Sequence, residues 1–160
     1  MKRLAAVGLA LLLTGCGAGS SEVVDGMRAP TGLAPGVTLF FVDADQRLRP
    51  QPRETGRLGT VVEALALLLT GPGADPDLHT EISARGETRV VVETSADRIT
   101  VRLPLTGADL TDLGVDQVVC TALGVHVQGG GSASTTVLVV FTLPGTEPNP
   151  PRRCPVIPPG

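Results

Sequence analysis

Tryptophan and tyrosine are absent from this chain of 160 residues, and phenylalanine occurs three times. Stacking platforms for sugars or bases are built from aromatic faces, so that mode of recognition is disfavoured. Lysine occurs once, at Lys2, and the 13 basic residues are outnumbered by 16 acidic ones. With no basic face to neutralise phosphates, nucleic acid is not expected as a partner. Histidine is limited to His79 and His126, and no His or Cys lies at metal-ligand spacing; His126 falls on a different part of a helix from Cys120. No motif ties a serine or cysteine nucleophile to either histidine, and no internal repeat is visible. The chain is therefore read as carrying no catalytic residues, no metal and no cofactor. It also lacks a membrane-spanning run: the apolar stretch 4–13 is shorter than the roughly 20 residues a spanning helix needs.

What is present begins at the N-terminus. Lys2 and Arg3 form a cationic head, residues 4–13 an apolar run, and Leu13-Thr14-Gly15-Cys16 closes it. That arrangement reads as a secretory signal. Leu at the third position before a cysteine, then Thr and Gly, resembles the bacterial lipobox. The resemblance implies cleavage after residue 15 and acylation of Cys16, with palmitate-type chains. The alternative is an ordinary signal peptide in which Cys16 is incidental. Two or three acyl chains hold a protein durably where one does so only marginally, so the mature chain is expected at the extracytoplasmic face of the cell membrane. Residues 16–36, rich in Gly, Ser, Ala and Pro, read as the lipidated cysteine and a flexible tether.

Three cysteines are an awkward number outside the cytoplasm, but lipidation of Cys16 would leave Cys120 and Cys154 as a pair. A Cys120–Cys154 disulfide would pin the Pro-rich tail, residues 144–160, to the domain. A buried free thiol at Cys120 or a metal site are the alternatives.

The remaining segment, 37–143, carries the periodic signals. Residues 37–42 read as a strand buried on both faces, and Asp43-Ala44-Asp45-Gln46 as a turn whose carboxylates bond nearby backbone. Residues 47–51 return as an edge strand, with Pro50 and Pro52 discouraging further pairing. Leu58, Val61, Val62, Leu65, Leu68 and Leu69 recur at helical spacing, with a capping box from Thr60 to Glu63 and a stop at Gly71-Pro72. Residues 78–86 show little periodicity, and His79 reads as a solvated loop residue. Two strands follow, one alternating through Thr88, Val90 and Val92, the other through Ile99, Val101 and Leu103 with one wet face. A second helix, with Asp112 as its cap, runs through Val115, Val118, Val119, Ala122 and Leu123 to about His126. The β-branched run 135–142 reads as a central strand.

The order predicts an α+β fold: a mixed or antiparallel sheet of about five strands, with two helices packed on one face, in the sequence β-β-α-β-β-α-β. The stretches Gly36-Val37-Thr38-Leu39-Phe40-Phe41-Val42-Asp43 with Arg47-Leu48, Val62-Glu63-Ala64-Leu65 through Leu69-Thr70-Gly71-Pro72, Thr80-Glu81-Ile82-Ser83 with Gly86-Glu87-Thr88, and Gln117-Val118-Val119 resemble the GerMN domain. That domain occurs in sporulation and spore-germination proteins and in actinobacterial lipoproteins. The resemblance covers roughly 37–143, and "ALALLLTGP" is its most specific stretch. Ser83 stands where the family usually has Pro, and this chain has room for one copy where the naming member has two. The resemblance implies a non-catalytic module that docks an envelope protein partner. The competing expectation, a peptidoglycan or small-ligand binding protein of the cell wall, would need Asp43, Asp45, Glu63 or His79 to gather in a cleft.

Overall fold

The computed structural model describes residues 36–144 and 149–160. The expected signal, the expected lipidation site Cys16 and the expected tether up to residue 35 lie outside the described residues. Among the described residues the class is α+β: six strands in two three-stranded sheets, and two α-helices.

Strand β1 (Gly36–Asp43) is the middle of the first sheet, between β2 (Leu48–Glu54) and the two-residue β3 (Leu78–His79), both antiparallel to it. Asp43 N–H donates to Arg47 O at 3.0 Å, so odd-numbered residues of β1 face β2 in the hydrogen-bonded pairs. Pro50 and Pro52 stand opposite Phe40 and Thr38, in the intervening pairs. There the missing N–H would point outward, so the prolines blunt the open edge of β2 at no cost to its inner ladder. At the hairpin tip Asp43 Oδ1 accepts from the N–H groups of Asp45 and Arg47, at 3.0 and 2.9 Å, and Gln46 takes a left-handed conformation, φ 60°. Turn chemistry accounts for this acidic segment as expected.

Helix α1 (Val61–Leu68) opens with Thr60 and Glu63 in a reciprocal capping box. Its buried residues are Ala64, Leu65 and Leu68, joined by Leu69 just beyond. Two members of the expected apolar stripe differ: Leu58 precedes the helix, and Val62 is 40% exposed.

The second sheet has the order β4 (Val91–Thr94), β5 (Arg98–Leu103), β6 (Thr136–Phe141). β4 and β5 form an antiparallel hairpin, while β5 and β6 are parallel. A parallel neighbour requires a long crossover, and helix α2 (Asp112–Gln128) supplies it after a short 3₁₀ turn, Gly107–Asp109. Two expectations are corrected here. The strands divide into two sheets instead of joining one of about five, and the central strand of the second sheet is β5, with β6 beside it. The burial pattern explains the second correction: only Val137 and Val139 of β6 are buried, and the crossover helix α2 packs against this strand, so its apolar run does not mark a strand buried on both faces.

Helix α2 is the core of the molecule. Thr111, not Asp112, caps it, its side chain accepting from Gly114 N–H at 3.1 Å. Gly114, Val115 and every residue from Gln117 to Val125 are buried, and the helix packs against β1, β6 and α1. Such all-round burial is what a helix apolar on all sides requires. Close approach is secured by Gly114, where a Cβ would stand 2.3 Å from the carbonyl oxygen of Glu81. Two polar residues, Gln117 and Thr121, are fully buried one turn apart. Thr121 Oγ1 accepts from Phe40 N–H at 3.1 Å, and Gln117 Nε2 donates to Phe40 O at 2.9 Å. Gln117 Oε1 accepts from Glu81 N–H at 2.8 Å. These side chains take the place of a neighbouring strand along the edge of β1 that β3 is too short to cover, so no buried polar group there is left unpaired.

Candidate functional site

Behind α1 the surface opens into a cleft of about 440 Å³. One wall is α1, through Glu63, Ala66 and Leu67, with Thr70 just beyond its end; Val37, Thr55, Arg57, Gly59 and Thr88 complete it. The lining is mostly apolar, and its size lies within the range of roughly 300–1,000 Å³ usual for small-ligand sites. Polar groups gather at one end. Arg57 meets both carboxylate oxygens of Glu63, with Nη1 to Oε2 at 3.3 Å, and Glu63 Oε2 also accepts from Thr60 N–H at 2.7 Å. The Arg57 guanidinium, followed by the Thr60 backbone, lowers the Glu63 carboxyl to about 2. It is therefore ionised and committed to the cap throughout the physiological range, which suits a fixed rim charge better than a proton donor. Gly59 keeps this corner tight, since a Cβ there would lie 3.1 Å from Val37 Cγ1.

A second, smaller recess of about 280 Å³ is bounded by Asp43, Asp45, Pro76, Asp77, Leu78 and His79. Of the four residues that a cell-wall cleft would have to assemble, Asp43, Asp45 and His79 meet here, and Glu63 lies on the other cleft. Asp43 is heavily engaged: besides its two backbone bonds, Oδ2 accepts from Arg49 Nε at 2.7 Å. Arg49 foremost, then the Arg47 amide, holds its carboxyl below the usual carboxylate value. His79 is not a loop residue: it lies in β3, paired with Val42, and its Nε2 is 3.0 Å from Glu81 Oε1 and 3.5 Å from Gln46 Nε2. The β3 pairing was hidden because two residues are too few to show any period. Among the described residues, no three His, Cys, Asp or Glu side chains are placed to hold a metal ion together, and no helix is long and apolar enough to cross a membrane.

The cysteines stand as the pairing argument requires. Cys120 on α2 and Cys154 in the tail form a disulfide, with 2.04 Å between the sulfurs, and both are buried. The same tail is bonded to β6, where Val137 and Arg152 exchange backbone hydrogen bonds of 2.8 Å each way. Arg152 also reaches α2, donating to Asp112 Oδ1 at 2.8 Å and Asp116 Oδ1 at 3.4 Å. Burial raises the Asp116 carboxyl despite Arg152, because the closer contact goes to Asp112. The Pro-rich tail is thus fastened to the domain at three places.

The walls of the larger cleft come from four separate stretches of chain, so no sequence period marks Arg57, Gly59, Ala66 or Thr70 as neighbours. Gln117 did carry a signal: a long amide within an otherwise apolar stripe must find partners when buried. The fold and the two recesses define an α+β domain with a tail held by a disulfide. No protein-family model matches the chain, and neither curated proteins nor solved structures give a match.

Proposed function

We propose that this chain is a membrane-anchored extracytoplasmic lipoprotein whose single GerMN-like domain, residues 37–143, acts as a non-catalytic protein-interaction module in the cell envelope. The observation that carries the reading is the Cys120–Cys154 disulfide. Such bonds persist in oxidising compartments outside the cytoplasm, and this one leaves Cys16, in its lipobox-like setting, as the one cysteine without a partner in sequence. The run of strands and helices from Gly36 to Phe141 supports a folded domain over 37–143, while the signal 1–15, the tether 16–36 and the tail 144–160 rest on the sequence pattern. Apart from the short β3, the elements run strand, strand, helix, strand, strand, helix, strand, which supports the resemblance to the GerMN domain; the single copy weakens any transfer of a sporulation role.

Metabolic labelling of the full chain with radioactive palmitate tests the anchor. Label is expected in the wild type and absent from Cys16→Ser; equal label in both overturns it. Affinity capture of the full chain from detergent-solubilised envelope then tests the interaction role, with a stoichiometric membrane protein expected. A second reading, a peptidoglycan or small-ligand binding accessory protein, is favoured by the apolar cleft along α1. Salt-resistant co-sedimentation with purified peptidoglycan, lost on filling the cleft with Ala66→Trp, would establish it in place of the first.

A further inference from the structure

The outer edge of β4 is bare. Ser95 N–H donates to Arg98 O at 2.8 Å, which makes them a hydrogen-bonded pair; alternation along the ladder gives Glu93/Thr100 and Val91/Arg102 the same status. The N–H and C=O groups of Val92 and Thr94 therefore point away from β5, and among the described residues nothing pairs with them. The other edges differ. β2 is blunted by Pro50 and Pro52, and β6 carries the Arg152 bridge at Val137. β4 has no proline, no lysine and no bulge, the usual devices that keep an edge from pairing.

Its side chains are arranged for a particular partner. Arg89 and Val90 lead into β4: Val90 is buried and Val92 packs against the core, whereas Arg89, Val91 and Glu93 are exposed, Val91 by 51%. Arg89 has no ion-pair partner among the described residues, and Glu93 meets Arg102 at 3.4 Å on the surface. Charge of opposite sign thus stands two residues either side of an exposed valine. We propose that β4 pairs with β4 of a second copy of this chain, antiparallel about a two-fold axis at Val91. In that register Val91 lies against the partner's Val91, with about 4.5 Å between Cα atoms. Arg89 faces the partner's Glu93 and Glu93 faces the partner's Arg89, both directly opposite. Val90 and Val92 fall opposite the partner's Val92 and Val90, so the outward backbone groups of Val92 gain bonds in the same register. Two short sheets become one continuous six-stranded sheet, and the exposed valine of β4 gains an apolar neighbour across the axis.

The test is sedimentation equilibrium of the full chain in detergent, at concentrations up to about 100 μM, where even a weak specific dimer is populated. The wild type is expected to dimerise, Glu93→Arg to weaken the dimer at least about tenfold through like-charge opposition, and Arg89→Glu combined with Glu93→Arg to restore it. Val91→Cys is expected to cross-link to itself under oxidation, whereas Ala96→Cys at the turn is not. A monomeric wild type, a dimer indifferent to Glu93→Arg, or Val91→Cys joined to a different protein in place of its own copy would each overturn the proposal.

Discussion

The disulfide lets the reasoning be tested quantitatively. Cys120 and Cys154 are 34 residues apart in sequence. In the loop-entropy account, opening a loop of that length restores about 12.6 cal/mol/K to the unfolded chain, or about 3.8 kcal/mol at 25 °C. Replacing both with alanine also removes two buried sulfurs, so the loss should be no smaller than this figure. For a domain of this size, that corresponds to a fall in Tm of about 12–20 °C. The assay is reversible thermal unfolding of the full chain beside Cys120→Ala/Cys154→Ala, with urea unfolding to give the free energy directly. Because both cysteines are buried, reductant added to the native wild type should act slowly, and only through opening of the tail. A double variant that loses less than about 1.5 kcal/mol would refute the argument, since the hold on the tail would then reside in the Arg152 contacts and the Val137 bridge, not in the covalent link.

Other consequences follow from the packing around α2 and the cap of α1. Gln117→Leu leaves the buried Phe40 carbonyl and the half-buried Glu81 amide without partners, and should cost about 3 kcal/mol in urea unfolding. Gly114→Ala drives a methyl to within 2.3 Å of the Glu81 carbonyl oxygen, and a loss of about 2 kcal/mol is expected, with unchanged stability counting against so close a contact. Glu63, held at about 2 in the folded chain against an ordinary 4.5, contributes stability that is fully present above pH 4.5 and is lost as pH falls towards 2. The advantage of the wild type over Glu63→Gln should therefore shrink across that window, as followed by thermal unfolding at successive pH values; a constant difference would show that Arg57 and the cap do not bind the charged form preferentially.

The local features were legible because their causes are local. Thr60 and Glu63 announce a capping box three residues apart, Asp43 bonds amides two and four residues on, and the alternation through Ile99, Val101 and Leu103 survives folding unchanged. Helix α2 was visible as a period, but the cap fell one residue early, at Thr111, because Asp112 is also an acceptable first-turn residue. The tail pairing was legible from the number of cysteines and the secretion expected of the chain, and Arg152 was not, since ion pairs leave no period. Neither was the cleft, whose lining comes together only after α1 has packed on β1 and α2.

What sequence pattern could not reveal was how the strands divide between two sheets, and the reason is a property of α2. A strand buried on both faces, such as β1, reads the same whether its edge is met by another strand or by a helix carrying the right polar atoms. In this chain Gln117 and Thr121 perform the second role for β1, returning one donor and one acceptor to Phe40. The first sheet can therefore end on that side after only two residues of β3 without leaving backbone groups buried and unpaired. That gives the amide at Gln117 an architectural meaning. If it fixes where the first sheet stops, Gln117→Leu should loosen β1 more than β5, so hydrogen exchange at Phe40 and Glu81 should accelerate well before exchange at Ile99 and Val101. Uniform acceleration across both sheets would instead mean that α2 binds the two into one cooperative unit, with the helix's apolar contacts and not its polar pair setting the limit.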